Sequence, residues 1–238
     1  IERYDSKNMK IMIARLRRAA RSVLVPQGRA ALLVGVALLV AFAALGLARV
    51  NHPPWGDDES VLLLTANAVH QGARLYEQVW YNYPPGLVQL LRGAFALGGV
   101  SLATGRAAIL VFALVGLAGV WLVGRRLGDA RHGLAAAALL ALAPHYVALA
   151  NSVMAEVPAL TLAALCVWGS LRYVRRRDTL SLALGGLFLA GSLWIKPVAA
   201  AVALVPATSI LFAHDGWRQR LQRVALLGSV FRGRIPGV

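Results

Sequence analysis

Long apolar segments alternate with short polar segments along most of this chain. About 20 predominantly apolar residues span the hydrocarbon core of a bilayer as a helix, so the pattern predicts six membrane spans. The first span contains no charge and is too long for the core of a signal peptide, which favours a retained anchor. The predicted bounds are 30–48, 107–124, 133–150, 157–174, 179–195 and 197–213. The predicted fold is therefore an all-α, polytopic transmembrane helix bundle.

One long polar segment, 50–104, separates the first two predicted spans. Its first half has a helical pattern over 58–71, and Asp57 and Asp58 stand at the N-terminal end, where free N–H groups favour carboxylates. Its second half predicts a helix over 84–97, because proline fits the first turn of a helix. The aromatic residues between the two helices are typical of a membrane interface. We therefore expect two interfacial helices in this first outer loop.

The distribution of charge predicts the orientation of the spans. The chain has a net charge of +15, and its basic residues occur in short runs between apolar segments, mainly in 1–29, 125–131, 172–177 and 218–223. Such runs follow the positive-inside rule, whereas aromatic-interleaved basic patches and a helix-turn-helix pattern are missing from the sequence. We therefore predict a cytoplasmic N-terminus, an outer loop on the opposite side, and no nucleic-acid partner.

The chain divides into three predicted regions. A basic cytoplasmic N-terminus covers 1–29, the transmembrane core covers 30–213, and a cytoplasmic turn with the start of a seventh apolar run covers 214–238. The sequence begins at Ile1 rather than Met, and the last apolar run is too short to span a membrane. We expect the chain to be the N-terminal part of a larger protein or a frameshifted product.

Cysteine and metal chemistry receive little support from the sequence. Cys166 is the only cysteine and lies in an apolar run, which rules out a disulfide framework and a cysteine-based metal site. The acidic residues Asp57, Asp58 and Glu59 could bind a divalent ion, but no further acid lies nearby in sequence. No metal site and no cofactor are predicted.

Those same three carboxylates are the main candidates for chemistry. They stand on the arginine-poor side of the predicted bundle, in a chain with 25 Lys+Arg and 10 Asp+Glu. A carboxylate there could act as a catalytic base or bind a ligand, or it could simply cap the helix that follows. Glu156 and Lys196 stand at the outer ends of the fourth and fifth spans, where ionisable groups indicate either function or contact with lipid headgroups.

An ordered set of short motifs resembles the C-type integral-membrane glycosyltransferases, particularly the protein mannosyltransferase and aminoarabinose transferase group. The similarity covers about 30–213, although none of the motifs is specific alone. The motifs are Trp55-Gly56-Asp57-Asp58-Glu59, Leu75-Tyr76, Tyr83-Pro84-Pro85-Gly86, Arg106, Arg131-His132-Gly133, Glu156-Val157-Pro158 and Lys196-Pro197.

The resemblance implies roles for individual residues. It makes Asp58 the catalytic base of an Asp-Glu pair, with Asp57, Glu59 and Glu156 as further catalytic or acceptor-binding candidates. It makes Lys196 and Arg106 donor phosphate-binding residues.

The substrate loop implied by the resemblance contains Tyr83, Pro84 and Pro85. Tyr83 occupies the position where many members of the family have a lysine. A phosphate contact there is therefore in doubt, because tyrosine offers only a neutral hydrogen bond.

The function that the resemblance implies is a glycosyltransferase of the bacterial inner membrane. It would transfer a sugar from a polyprenyl-phosphate donor to a lipid, glycan or protein acceptor on the outer face, with inversion. The alternatives are a transporter or lipid-carrier flippase with an acidic outer substrate site, and an inactive scaffold. Transporters tend to place charged residues and broken helices at mid-membrane, whereas the middles of the six predicted spans contain no Asp, Glu, Lys or Arg.

Overall fold

The computed structural model describes residues 29–52, 57–211 and Gln222, and these residues form helices joined by short connections. The expectation of an all-α membrane bundle is confirmed. Predictions for 1–28, for Trp55 and Gly56, and for the tail beyond 211 lie outside the described residues. The elements are α1 (Arg29–Arg49), α2 (Asp57–His70), α3 (Gly86–Gly98), α4 (Leu102–Leu127), α5 (Ala130–Leu142), α6 (Pro144–Ala150), α7 (Glu156–Arg176), α8 (Thr179–Ile195), a 3₁₀ helix (Pro197–Ala203) and α9 (Leu204–Leu211).

Fewer helices qualify as full membrane spans than the sequence predicted. Helices α1, α4 and α7 are long and apolar enough to cross a membrane, and the pair α5–α6 adds a fourth crossing if it is one span. Helix α8 has 17 residues, at the lower limit for a span. The predicted span 197–213 begins as a 3₁₀ helix and continues as the short α9 within the described residues. Within the described residues, three or four spans thus meet the length and composition of a full crossing, against the six predicted.

The predicted third span, 133–150, is bent by 71° between α5 and α6. Ala143 lies directly before Pro144 and has an extended backbone (φ −67°, ψ 117°). Proline disfavours helical geometry in the residue that precedes it, so α5 stops there and α6 starts in a new direction. The sequence analysis placed Pro144 inside one continuous span, and the structure corrects this.

Helices α2 and α3 form the predicted pair in the first outer loop. Helix α3 buries Leu87, Val88, Leu91 and Phe95, which recur at the spacing of one helix face. That face packs between α2 and the membrane helices α4 and α8. Both helices begin and end within two residues of their predicted bounds.

Glycines allow the membrane helices to approach one another closely. A Cβ atom on Gly169 would lie 3.0 Å from Cα of Gly185, and one on Gly124 would lie 2.7 Å from Cα of Gly133. Small residues serve this purpose in membrane bundles because lipid provides no hydrophobic force to bring helices together. Helix α4 is the centre of the bundle, since it packs against both α5 and α7, and α7 packs in turn against α8.

The basic turns predicted to share one side of the membrane meet at one end of the bundle. The guanidinium group of Arg175 in α7 donates a hydrogen bond to the backbone oxygen of Arg126 in α4. Arg106 and Glu156 lie at the opposite ends of these two helices, and their ion-pair partners Glu59 and Lys196 lie beside them. The bundle therefore has an arginine-rich end and an end that contains most of the candidate chemistry.

A buried ion pair joins the outer loop to the membrane helices. Glu59 in α2 and Arg106 in α4 make two hydrogen bonds, of 2.7 and 2.8 Å, and their side chains are 0% and 2% exposed. The Glu59 carboxylate also accepts a 2.8 Å bond from the backbone N–H of Val153. Arg106 donates further to the backbone oxygens of Val50 and His52, which follow α1. Four separate parts of the chain are thus held at one point.

Because this pair is buried, we expect the substitution of glutamate by glutamine to destabilise the protein far more at Glu59 than at an exposed ion pair. Glu59→Gln leaves the Arg106 charge buried without its counter-ion, and breaking a buried pair costs about 3–5 kcal/mol. We expect Glu59→Gln to lower the melting temperature of the detergent-solubilised protein strongly. The control is Glu77→Gln, because the Arg74–Glu77 pair is 69% and 60% exposed and such pairs contribute about 0–1 kcal/mol. Equal melting temperatures for the two variants would contradict a structural role for the buried pair.

Candidate active site

The three adjacent acidic residues have different environments. All three lie in the first turn of α2, but Glu59 is buried in its pair with Arg106, whereas Asp57 and Asp58 are exposed. Carboxylates in a first turn are favoured by the helix dipole and by free N–H groups. Asp57 and Asp58 are therefore more accessible to a ligand than Glu59, and a catalytic or acceptor-binding role for Glu59 stays a prediction.

Asp58 borders two cavities. The first, of about 390 Å³, is called the acidic cavity here and is lined by Asp57, Asp58, Glu59, His145, Ala148, Leu149, Ser152 and Met154. The second, of about 350 Å³, is called the aromatic cavity and is lined by Asp58, Val61, Leu62, Trp80, Tyr81, Asn82, Tyr83, Met154, Ala155, Glu156 and Lys196. Asp57 lines only the acidic cavity, so Asp58 is the carboxylate of this turn that reaches both.

Lys196 and Glu156 form an ion pair on the wall of the aromatic cavity. Glu156 is the first residue of α7, and Lys196 lies between α8 and the 3₁₀ helix. Their side chains are 34% and 24% exposed, so the pair is accessible from the cavity. Lys196 precedes Pro197 and has an extended backbone, since proline disfavours helical geometry before it. The end of α8 therefore places this ammonium group at the cavity.

The structure separates Arg106 from this accessible pair. Its guanidinium is used by Glu59 and by backbone oxygens next to α1, and its side chain is 2% exposed. Arg106 instead lines a separate cavity of about 500 Å³, together with Arg49, His52, Pro144, Val147, Ala148 and Asn151. Its role in binding a donor phosphate stays a prediction, and its observed contacts join α2 and α4 to the end of α1. Lys196 is the predicted phosphate-binding residue that does face the aromatic cavity.

Of the three residues in the predicted substrate loop, only Tyr83 lines one of these two cavities. Tyr83 lines the aromatic cavity, where its ring packs edge-on against Tyr81 at 5.9 Å between ring centroids. Pro84 and Pro85 do not line either cavity. Pro85 is the N-cap of α3, and the two prolines start that helix, as proline commonly does.

Several cavity residues had no functional signal in the sequence. Tyr81 and Asn82 could have been found from their position between a helix C-terminus and a proline pair, but Met154, His145 and Ser152 could not. The side-chain amide of Asn151 donates a hydrogen bond to the backbone oxygen of Val147, four residues earlier. Across the described ranges 29–52 and 57–211, no three His, Cys, Asp or Glu side chains converge as metal ligands would.

Comparison with solved structures relates this fold to a known enzyme. The archaeal oligosaccharyltransferase AglB from Archaeoglobus fulgidus, solved with an inhibitory peptide and a dolichol-phosphate, superimposes with a TM-score of 0.52 at 15% sequence identity. The match covers 83% of this chain and 33% of the archaeal chain, so this chain spans about a third of that protein's length. No curated protein matches the sequence.

The family comparison covers most of the membrane core. The model of the dolichyl-phosphate-mannose-protein mannosyltransferase family matches residues 82–232, which include Tyr83, Glu156 and Lys196 but not Asp58. Both comparisons agree with the similarity to C-type membrane glycosyltransferases found in the sequence motifs. The chain is thus a multi-pass membrane protein and belongs to the dolichyl-phosphate-mannose-protein mannosyltransferase family.

Proposed function

We propose that this chain is the N-terminal part of a membrane glycosyltransferase that uses a polyprenyl-phosphate-linked sugar. The observation that carries the proposal is the aromatic cavity, where Asp58, Glu156 and Lys196 meet although they are far apart in sequence. A carboxylate and a cation on one cavity are the two charges that transfer from a lipid phosphate requires. Membership of the mannosyltransferase family supports the same reaction.

The proposed reaction is a single inverting displacement. The Asp58 carboxylate accepts the proton of the acceptor hydroxyl while that oxygen forms a bond to the anomeric carbon of the sugar. The bond between the anomeric carbon and the phosphate oxygen breaks, and the polyprenyl phosphate leaves with the bonding electron pair. Phosphate is already a good leaving group, so no second carboxylic acid is needed to protonate it. Asp57 would remain outside this step, because it borders only the acidic cavity.

Lys196 would stabilise the charge on the departing phosphate. An ammonium group has three donors, and one of them is used by Glu156. Two donors therefore remain for phosphate oxygens without breaking the ion pair. In this arrangement Glu156 orients the ammonium group, and Tyr83 adds at most a neutral hydrogen bond near the phosphate.

The proposal extends to location and organisation. We place the arginine-rich end of the bundle in the cytoplasm and the two cavities on the outer face of a bacterial inner membrane, as the positive-inside rule directs. The acceptor would be a lipid, glycan or protein hydroxyl on that face. The division into a basic N-terminus (1–29), a membrane core (30–213) and a C-terminal turn (214–238) remains a prediction.

A transporter or lipid-carrier flippase is the second candidate, and the bend between α5 and α6 is the observation that favours it. Broken helices often surround substrate sites in transporters. In this chain the break between α5 and α6 lies beside the acidic cavity. Helix α6 contributes His145, Ala148 and Leu149 to the lining of that cavity. The charged side chains stand at helix ends rather than at mid-span. An interfacial active site fits this distribution better.

The catalytic assignment is tested by Asp58→Asn in the full-length protein. This change keeps the size of the side chain but removes the base, so we expect transfer of sugar to fall about 100-fold or more. Binding of the lipid donor and the protein level should remain near wild type. Asp57→Asn should retain most of the activity, and Glu77→Gln serves as a control on an exposed carboxylate outside both cavities. A variant Asp58→Asn with near-normal transfer, alongside an inactive Asp57→Asn, would move the base to Asp57.

Lys196→Ala tests the phosphate contact and separates the enzyme from the transporter. Charge-assisted hydrogen bonds contribute about 1.5–3 kcal/mol, so we expect the apparent affinity for a polyprenyl-phosphate sugar to fall about tenfold or more. Lys196→Arg should recover part of this loss, whereas Arg92→Ala, on the exposed face of α3, should have little effect. Transport of a soluble substrate that survives Lys196→Ala, with no sugar transferred to any acceptor, would support the transporter instead.

The proposed orientation is tested by single-cysteine labelling. Cys166 is buried in α7 and can be replaced by alanine, after which Glu77→Cys and Arg176→Cys place thiols at exposed positions on opposite ends of the bundle. A membrane-impermeant thiol reagent should label Glu77→Cys in intact cells and Arg176→Cys only after permeabilisation. The reverse pattern would put both cavities on the cytoplasmic side and contradict the proposed outer-face site.

A further inference from the structure

The aromatic cavity has a polar group without a partner. The side chain of Tyr81 is 8% exposed, and its hydroxyl is buried with no hydrogen-bond partner among the described residues. Buried hydroxyls in folded proteins almost always have a partner, so an unpaired one that lines a cavity points to a ligand. Burial raises the pKa of Tyr81 to about 12, which keeps the hydroxyl protonated and able to donate.

The next residue places an aromatic surface at the edge of the same cavity. Trp80 is 81% exposed, although its neighbours Val79 and Tyr81 are partly or fully buried. The face of an indole ring is electron-rich, and the C–H bonds on one side of a sugar ring are weakly positive, so the two surfaces stack favourably. Asn82 follows and adds an amide that can both donate and accept hydrogen bonds.

The loop that carries these side chains has a defined shape. The N–H of Tyr76 donates to the backbone oxygen of Val79 at 2.8 Å, and the Tyr76 hydroxyl donates to the backbone oxygen of Tyr83 at 2.8 Å. Tyr76 has a φ of 71°, in the left-handed region that residues with a side chain seldom adopt. Such strained positions persist where the surrounding structure holds them, frequently at ligand sites.

From these features we infer that Trp80 and Tyr81 form the surface that recognises the sugar ring of the donor, with the Trp80 indole stacking on the ring and the Tyr81 hydroxyl donating to a ring substituent. This inference rests on the proposed function, because it places the sugar between Asp58 and Lys196 in the same cavity. A volume of about 350 Å³ is near the lower end of ligand sites, which are typically about 300–1,000 Å³. The cavity therefore suits a single sugar ring.

The test compares two ligands that differ only in the sugar. Binding of a short-chain polyprenyl-phosphate hexose and of the same polyprenyl phosphate without sugar is measured with the full-length protein in nanodiscs. A neutral hydrogen bond contributes about 0.5–1.5 kcal/mol, so Tyr81→Phe should weaken binding of the sugar-bearing lipid about 3- to 10-fold. Binding of the bare polyprenyl phosphate should not change, because Tyr81→Phe keeps the ring and its packing against Tyr83.

Trp80 is tested with variants that separate stacking from membrane contact. Trp80→Leu keeps an apolar side chain but removes the flat face, and it should weaken binding of the sugar-bearing lipid several-fold while leaving the bare lipid unaffected. Trp80→Phe should retain part of the affinity. Trp194→Leu is the matched control, since Trp194 is also exposed but lines neither of the two cavities.

Each result has a distinct meaning. Selective loss of the sugar-bearing ligand in Tyr81→Phe and Trp80→Leu supports the inference. Equal losses for both ligands, or no loss for either, overturn it while leaving the proposed function in place. A wild-type protein that binds neither ligand overturns the proposed function itself, and the sugar surface with it.

Discussion

The ion pair between Glu59 and Arg106 is the contact on which the end of the bundle that carries the two cavities depends. Removing two charges from water is costly, and this cost is offset here by two hydrogen bonds within the pair and by further bonds from each side chain to backbone groups. The pair joins α2 to α4, to the connection before α7 and to the end of α1. The position of the accessible carboxylates follows from it, since Asp58 is the residue directly before Glu59.

Helix geometry explains how three adjacent acids acquire different roles. Successive residues of an α-helix point about 100° apart, so a turn that buries Glu59 directs its two predecessors elsewhere. Asp57 and Asp58 stay exposed, and Asp58 lies where the acidic and aromatic cavities adjoin. The Glu59 carboxylate stabilises the fold, whereas the Asp58 carboxylate in the same turn remains accessible from the cavities.

The opposite wall of the site is built by interruptions in the membrane helices. Pro197 follows Lys196 and ends α8 at the level of the cavity, and α7 begins there with Glu156. The loop after α2 completes the wall with Tyr81 and its aromatic neighbours. The site therefore combines rigid helix ends with a loop held by its own hydrogen bonds, so its charged groups and its aromatic side chains are positioned by different parts of the fold.

The amino-acid sequence by itself determined the fold class, the two helices of the outer loop and the family. Apolar segment length, proline positions and ordered motifs are local signals, and the helices α2 and α3 follow them closely. It also singled out Asp58, Glu156 and Lys196, together with Asp57, Glu59 and Arg106, as candidate site residues. Motif order alone, however, could not distinguish a lysine that faces a cavity from an arginine that is buried.

Tertiary structure decided the pairing and accessibility of these groups. Arg106 and Lys196 are both cations at helix ends, yet Arg106 is 2% exposed in its pair with Glu59, whereas Lys196 is 24% exposed and borders the aromatic cavity. The sequence also could not show whether Pro144 would bend its span, because proline is tolerated in some membrane helices and breaks others. The sequence could not show that the buried hydroxyl of Tyr81 has no hydrogen-bond partner among the described residues, because such partners often come from distant parts of the chain.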